Sequence, residues 1–205
     1  SVATSILLAQ TRDAVSVPIV AAGGFRDGAG LVAALAVGAE GIAMGTRFLL
    51  TQESPVPEKT KATYIRANPE NIIVSTCLDG LPQRMIANGY LQTLMNASSV
   101  GLLTRAMLNG LAFTRMTGGS LPGMLQSAWR MYRTGDLSFG QTLMAANAPM
   151  MIQEAMVKGH PEHGILPSGQ VAGIIDDLPT VAELIEHIMD EAQQSLSRLQ
   201  QFQQD

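Results

Sequence analysis

The 205-residue sequence has little of several things that mark whole protein classes. It has one cysteine, Cys77, which excludes an internal disulfide framework and fits a reducing, cytoplasmic setting. Cys77 follows the β-branched run Ile72-Ile73-Val74-Ser75-Thr76, where an inert, half-buried thiol is expected rather than a nucleophile. Aromatic residues make up 4% of the chain and charged residues 15%, with a formal net charge of -4. That balance excludes a nucleic-acid partner, because binding to a phosphate backbone needs clustered Lys and Arg. Apolar runs are short, each broken by Gly, Asn or Arg, so no membrane span is expected. The opening Ser1-Val2-Ala3-Thr4-Ser5 has no basic segment of the secretory type. What the chain does have is 46% hydrophobic residues, ample for a core.

Val2 to Val15 has helical spacing, with Leu7, Leu8 and Val15 opposite Arg12 and Asp13, and Val17-Pro18 closes it. A sequence that begins inside a helical pattern without Met is expected to enter in mid-domain, with upstream sequence missing. Pro18-Ile19-Val20-Ala21-Ala22 reads as a buried parallel strand ending at Gly23-Gly24. Asp27 caps a helix to Val37, Gly38 ends it, and Gly41-Ile42-Ala43-Met44 is a second buried strand. Residues 18–44 thus have the size of one βαβ unit. Glu58 to Ala67 looks helical and Asn71 to Leu78 extended. From Gly89 to Lys158 the chain is rich in Met, Leu and Ala, and reads as helices broken at Gly118-Gly119, Pro122 and Gly135. Such helices suit packing on the domain itself or on a second subunit of a homo-oligomer. Thr180 to Glu183 is a capping box opening a last helix with the stripe Val181, Leu184, Ile185, Ile188, Met189 and Ala192. Its Gln-rich tail is expected to fray from Gln193.

The chemistry is expected at Ala22-Gly23-Gly24 and Ala43-Met44-Gly45-Thr46, each directly after a strand. A phosphate monoester is a compact dianion, and backbone N–H groups in Gly-rich loops suit it. A β-carbon there would hold the backbone away from the oxygens. In (β/α)8 barrels such a site recurs after strands 7 and 8. Thr46 adds a hydroxyl. Two ordinary glycine turns are the plainer alternative, and the pairing of the loops across a crossover helix favours phosphate.

The same residues carry a resemblance. The stretch Val20-Ala21-Ala22-Gly23-Gly24-Phe25-Arg26-Asp27-Gly28, with Gly38-Ala39-Glu40-Gly41-Ile42-Ala43-Met44-Gly45-Thr46-Arg47-Phe48, resembles the nitronate monooxygenase (2-nitropropane dioxygenase-like) family, which includes FMN-containing enoyl-acyl-carrier-protein reductases. Gly169-Gln170-Val171-Ala172-Gly173 is similar to its C-terminal signature. The likeness is strongest at residues 1–57 and 165–192. Asp79-Gly80-Leu81-Pro82-Gln83-Arg84 and Leu143-Met144-Ala145-Ala146-Asn147-Ala148-Pro149-Met150 look most like the branch that reduces CoA thioesters in steroid ring degradation. The resemblance implies that Gly23, Gly24, Ala43, Met44, Gly45 and Thr46 bind FMN, and that Gln170 approaches the ring or the substrate. It also implies a catalytic His upstream of Val2–Val15, outside this chain. No catalytic residue is therefore assigned within it.

The histidines present are weaker candidates. His187 reads as solvated on the last helix. His160 and His163 flank Pro161 and Glu162, yet a metal would need a third ligand. Arg47 reads as a salt-bridge partner more readily than a phosphate ligand. Asp176-Asp177 reads as turn chemistry, and Trp129 with Tyr132 as cover for a helix face.

The expected fold is α/β, the C-terminal part of a (β/α)8 TIM barrel: its last two strands with a mainly helical insertion, the N-terminal strands missing. Residues 1–77 would belong to the barrel, 78–164 to the insertion near the substrate mouth, and 165–205 to the return and last helix. A typical barrel length places about 150 residues upstream. The expected activity is that of an FMN-dependent oxidoreductase oxidising alkyl nitronates with O2. The alternatives are NAD(P)H-dependent reduction of enoyl or keto CoA or acyl-carrier thioesters, an IMP dehydrogenase-like phosphate barrel sharing Glu53-Ser54-Pro55, and a fragment that binds phosphate without turnover.

Overall fold

The computed structural model describes residues 2–78, 80–96 and 139–202, with the side chains of 139–147 excepted. Its elements run α1 (Thr4–Ala14), β1 (Val20–Ala22), α2 (Gly28–Val37), β2 (Gly41–Ala43), α3 (Thr46–Leu49), α4 (Glu58–Ile65), β3 (Ile72–Ser75), β4 (Gln83–Ile86), α5 (Gly89–Met95), α6 (Phe139–Met156), a 3-10 turn (Gln170–Ile174) and α7 (Val181–Gln201). They form two compact units. Ser1–Pro55, Tyr64–Pro69 and Ser168–Asp205 make the first, and Val56–Thr63 with Glu70–Pro167 the second.

In the first unit β1 and β2 pair in parallel, with Val20 opposite Gly41, Ala21 opposite Ile42 and Ala22 opposite Ala43. The connection is α2, as the βαβ reading requires. Asp27 starts that helix, its carboxylate accepting the Gly30 N–H at 2.8 Å. Leu8, Ala21, Ala34 and Ala39 make the core where α1, β1 and α2 meet. The small side chains let the elements approach closely. α2 also packs on α7 through Gly28, where a β-carbon would lie 2.2 Å from the Ile188 carbonyl oxygen.

Three expectations change here. β1 was expected to be buried on both faces, but only Ala21 is; Val20 is 61% exposed and Ala22 is exposed. One face packs on the helices and the other is largely exposed. On α7, Leu184, Ile188 and Ala192 are buried while Ile185 and Met189 face outward, because α2 covers a narrower strip than the apolar pattern offers. The helix also continues to Gln201 instead of fraying from Gln193. Gln, Leu and Arg are good helix formers, and nothing in that stretch breaks the turn.

The second unit contains a strand that the sequence reading lacked. β4 pairs antiparallel with β3, Ile72 opposite Ile86 and Ser75 opposite Gln83. Met85 bridges to Pro167, and the Ile86 N–H donates to the Leu166 carbonyl at 3.0 Å. Leu78, Met85, Leu91, Leu94, Met151 and Ile165 form its core. Asn88 secures the start of α5: its side-chain oxygen accepts the Leu91 N–H at 2.8 Å, while its amide donates to the carbonyls of Pro161 and Gly164 at 2.6 and 2.8 Å. The segment Leu143–Met150 lies within α6. Asp79, Gly118-Gly119, Pro122, Trp129, Tyr132 and Gly135 lie outside the described residues.

Candidate functional site

Parallel pairing without a register offset puts the carboxyl ends of β1 and β2 side by side, one strand spacing or about 4.8 Å apart. Ala22-Gly23-Gly24 leaves one end and Ala43-Met44-Gly45-Thr46 the other. Gly23 and Gly24 take φ values of 104 and 87, a left-handed conformation that a side chain disfavours. The Thr4 hydroxyl donates to the Gly23 carbonyl at 3.2 Å, tying that loop to the first turn of α1. Gly45 precedes α3 and its carbonyl accepts the Leu49 N–H at 2.9 Å. A β-carbon on Gly24 or Gly45 would meet nothing within 4 Å, so both loops face open space. Beside Gly23-Gly24 lies an open, mainly apolar cleft of about 250 Å³, bordered by Leu8, Phe25, Ala34 and Val37.

The signature segment joins this region directly. The Gly169 N–H donates to the Thr46 hydroxyl oxygen at 2.9 Å. The adjoining 3-10 turn therefore starts next to the second loop, with Gln170 exposed on it. Thr46 keeps its own hydroxyl proton to donate.

Arg47 lies two residues past Gly45 and is 4% exposed. Its guanidinium makes an ion pair with Asp177, and also donates to the Leu50 carbonyl at 2.8 Å and the Asp177 carbonyl at 3.3 Å. This agrees with the salt-bridge reading of Arg47 and gives Asp177 a partner. Arg26, two residues past Gly24, donates to the Ile174 carbonyl and pairs with Asp27 at 3.2 Å. Local pattern gives no warning of the Arg26 contact, whose partners lie 148 positions apart. Glu191 was missed for the same reason: from α7 it accepts the Gly28 N–H at the start of α2, at 2.9 Å. Arg26, Arg47, Asp176, Asp177, His187 and Glu191 line an open cavity of about 170 Å³.

Glu53 of Glu53-Ser54-Pro55 has a structural task. Its carboxylate accepts the Val181 N–H at 2.9 and 3.0 Å, at the start of α7. The capping box is also present, and Thr180, through its backbone N–H first and then its hydroxyl, holds the Glu183 carboxyl below its ordinary value. In the second unit His160 pairs with Glu154 at 2.7 Å, and Glu162 with Lys59 at 2.7 Å. His160, followed by Lys158, lowers the Glu154 carboxyl's pKa. No group of three or more metal-ligating side chains occurs among the described residues. No described helix is long and apolar enough to cross a membrane.

A sequence model of the family described as nitronate monooxygenase matches residues 1–191. The (3aS,4S,5R,7aS)-5-hydroxy-7a-methyl-1-oxo-octahydro-1H-indene-4-carboxyl-CoA dehydrogenase of Rhodococcus jostii (strain RHA1) is 44% identical over 191 residues, covering 93% of this chain and 54% of its own length. A probable nitronate monooxygenase of Staphylococcus saprophyticus is 32% identical over 145 residues, covering 63% of this chain and 41% of its own. Among solved structures, FabK from Thermotoga maritima superposes with a TM-score of 0.67 at 26% identity, over 98% of this chain and 52% of its own. The chain thus spans about half the length of the curated relatives it matches. The structural neighbours are TIM-barrel proteins and the homologues are oxidoreductases. With the match running from residue 1 to residue 191, this chain belongs to the nitronate monooxygenase family of flavin-dependent oxidoreductases.

Proposed function

We propose that this chain carries the phosphate-binding part of an FMN-dependent oxidoreductase acting on a CoA thioester. The observation that carries the reading is the adjacency of two glycine loops on neighbouring parallel strands, each opening onto free space. Gly23, Gly24, Ala43, Met44, Gly45 and Thr46 suit a phosphate: Gly23 and Gly24 take a left-handed backbone open to close approach, Gly45 adds no side chain, and Thr46 brings a hydroxyl. When bound, FMN supplies a two-electron acceptor or donor. The chain's own residues bind and orient it. Gln170 is proposed to reach the ring or substrate, because the Gly169–Thr46 hydrogen bond holds its turn beside the second loop.

The CoA-thioester reading draws on the 44% identity to the indene-carboxyl-CoA dehydrogenase, against 32% to the nitronate monooxygenase of S. saprophyticus. NAD(P)H is the proposed electron partner in the reductive direction. Nitronate oxidation by O2 is the second reading, favoured by the family description. We also propose that β1 and β2 are two adjacent strands of a (β/α)8 barrel, whose interior would cover the exposed Val20 and Ala22. The other strands and the catalytic His would belong to sequence upstream.

The test is a purification followed by two steady-state assays of the full-length protein. Bound FMN and turnover of an enoyl-CoA with NADH support the first reading. Turnover of propyl nitronate under air, without thioester activity, replaces it by the second. Protein that binds no flavin and turns over neither substrate overturns both.

A further inference from the structure

We infer that Arg26 and Arg47 are a matched pair of positioning residues that set the two glycine loops relative to each other by gripping one stretch of chain, Ile174–Asp177. The inference rests on the proposed phosphate cradle and goes beyond it, since neither arginine is assigned to the phosphate.

Each arginine stands two residues past a loop glycine: Arg26 after Gly24, Arg47 after Gly45. Arg26 donates to the Ile174 carbonyl. Arg47 holds the Asp177 carboxylate and the Asp177 carbonyl. Both ends of a four-residue segment are thus fixed to the roots of both loops. Upstream of that segment, the Gly169 N–H donates to the Thr46 hydroxyl and ties the preceding turn to the second loop as well. A planar guanidinium suits this work, since it meets a carboxylate and carbonyls in one rigid fork where an ammonium is a single point of charge.

The burial pattern points the same way. Arg47 is 4% exposed and its Nε has no hydrogen-bond partner, so its charge depends on Asp177 and on carbonyls held in place by the surrounding backbone. A buried guanidinium stays charged, and such partners offset the cost of taking that charge out of water. If Arg47 were a phosphate ligand, its donors would be directed outward to the loops' open side; instead they are used on Asp177 and Leu50. The amides of the loops are left to meet the anion, and the arginines keep those loops at a fixed spacing.

The experiment compares FMN with riboflavin, which lacks the phosphate, by fluorescence titration of the flavin-free full-length protein. Wild type is expected to prefer FMN. Arg26→Met changes a partly exposed side chain, and Asp177→Asn leaves an amide oxygen to accept from the buried Arg47, with thermal melting of each variant as the check on folding. Each should cut the FMN-over-riboflavin preference by about tenfold, the scale of a lost charge-assisted hydrogen bond, with riboflavin affinity little changed. Arg47→Lys should lose preference similarly, because an ammonium lacks the planar fork that meets the carboxylate and both carbonyls at once. A purely structural role would weaken both flavins alike and leave the ratio intact; that result, in variants whose melting matches wild type, overturns the inference. Wild type without any preference for FMN overturns the cradle reading and this inference with it.

Discussion

Replacing Gly28 by alanine puts a methyl group into one of the tightest contacts of the first unit. The new β-carbon would lie 2.2 Å from the Ile188 carbonyl oxygen, 2.3 Å from the Ala192 nitrogen and 2.7 Å from the Glu191 β-carbon. Two of these three atoms belong to the backbone of α7, so no rotamer change relieves the overlap. Either α2 and α7 separate by about 1 Å, or the end of α2 lifts away and loses the Glu191 hydrogen bond. Overpacking of this kind costs about 3 kcal/mol. For a chain of this size that corresponds to a fall in Tm of roughly 6–12 °C. The assay is thermal unfolding followed by far-UV circular dichroism, with Gly89→Ala as control. Gly89 opens α5, and a β-carbon there meets nothing within 4 Å, so alanine should be neutral or raise Tm slightly. A Gly28→Ala protein melting within about 2 °C of wild type would refute the close-approach argument, because a real clash with backbone cannot be so small.

Three more outcomes follow from other parts of the molecule. Asn88→Asp keeps the cap acceptor but removes both donors to Pro161 and Gly164, and sets a carboxylate against their carbonyls; a loss of about 2–3 kcal/mol in urea unfolding is expected, and a change below about 0.5 kcal/mol would contradict it. Glu183 has a folded-state pKa below its ordinary 4.5, so the stability it contributes is complete above that value and is lost as pH falls through the lower folded one. Wild type and Glu183→Gln should therefore differ at about pH 6 and converge toward about pH 3, and parallel melting curves across that window would count against the capping box. Gly24→Ala has room for its methyl group but not the φ for it; about 1–2 kcal/mol of backbone strain is expected, together with reduced FMN retention on gel filtration.

The parts of the fold that could be read in advance are those fixed by neighbours in sequence. β1, α2 and β2 are marked by two apolar runs, a capping Asp27 and glycines at Gly23, Gly24 and Gly38, all within one short unit. The capping box of α7 is equally local, with Thr180 and Glu183 three residues apart. β4 was harder to see. Gln83-Arg84-Met85-Ile86 is a strand because it has β3 on one side and Pro167 as a bridge partner, and neither shows in four residues of mixed polarity. The left-handed turn at Gly23-Gly24 was legible from the glycines themselves, whereas the partners that Arg47 and Gly28 find were not. Arg47 and Asp177 stand 130 positions apart, Gly28 and Glu191 163 positions apart. Pairings of that length depend on how the elements pack, and no periodicity records them. The exposure of Val20 belongs with these: its outward face depends on what lies against the sheet, and residue type says only that it could be covered.

The carboxylate that α7 places on Gly28 has an electrostatic consequence for ligand choice. With Asp27 on Gly30 as well, the positive end of α2's dipole already faces two of the protein's own anions. In the proposed phosphate cradle an incoming dianion would meet repulsion at that helix end, which the loop peptides would have to outweigh. A cradle of that kind would discriminate against ligands whose negative charge extends toward α2, and Glu191→Gln would relax that selection without changing any residue proposed to hold the ligand.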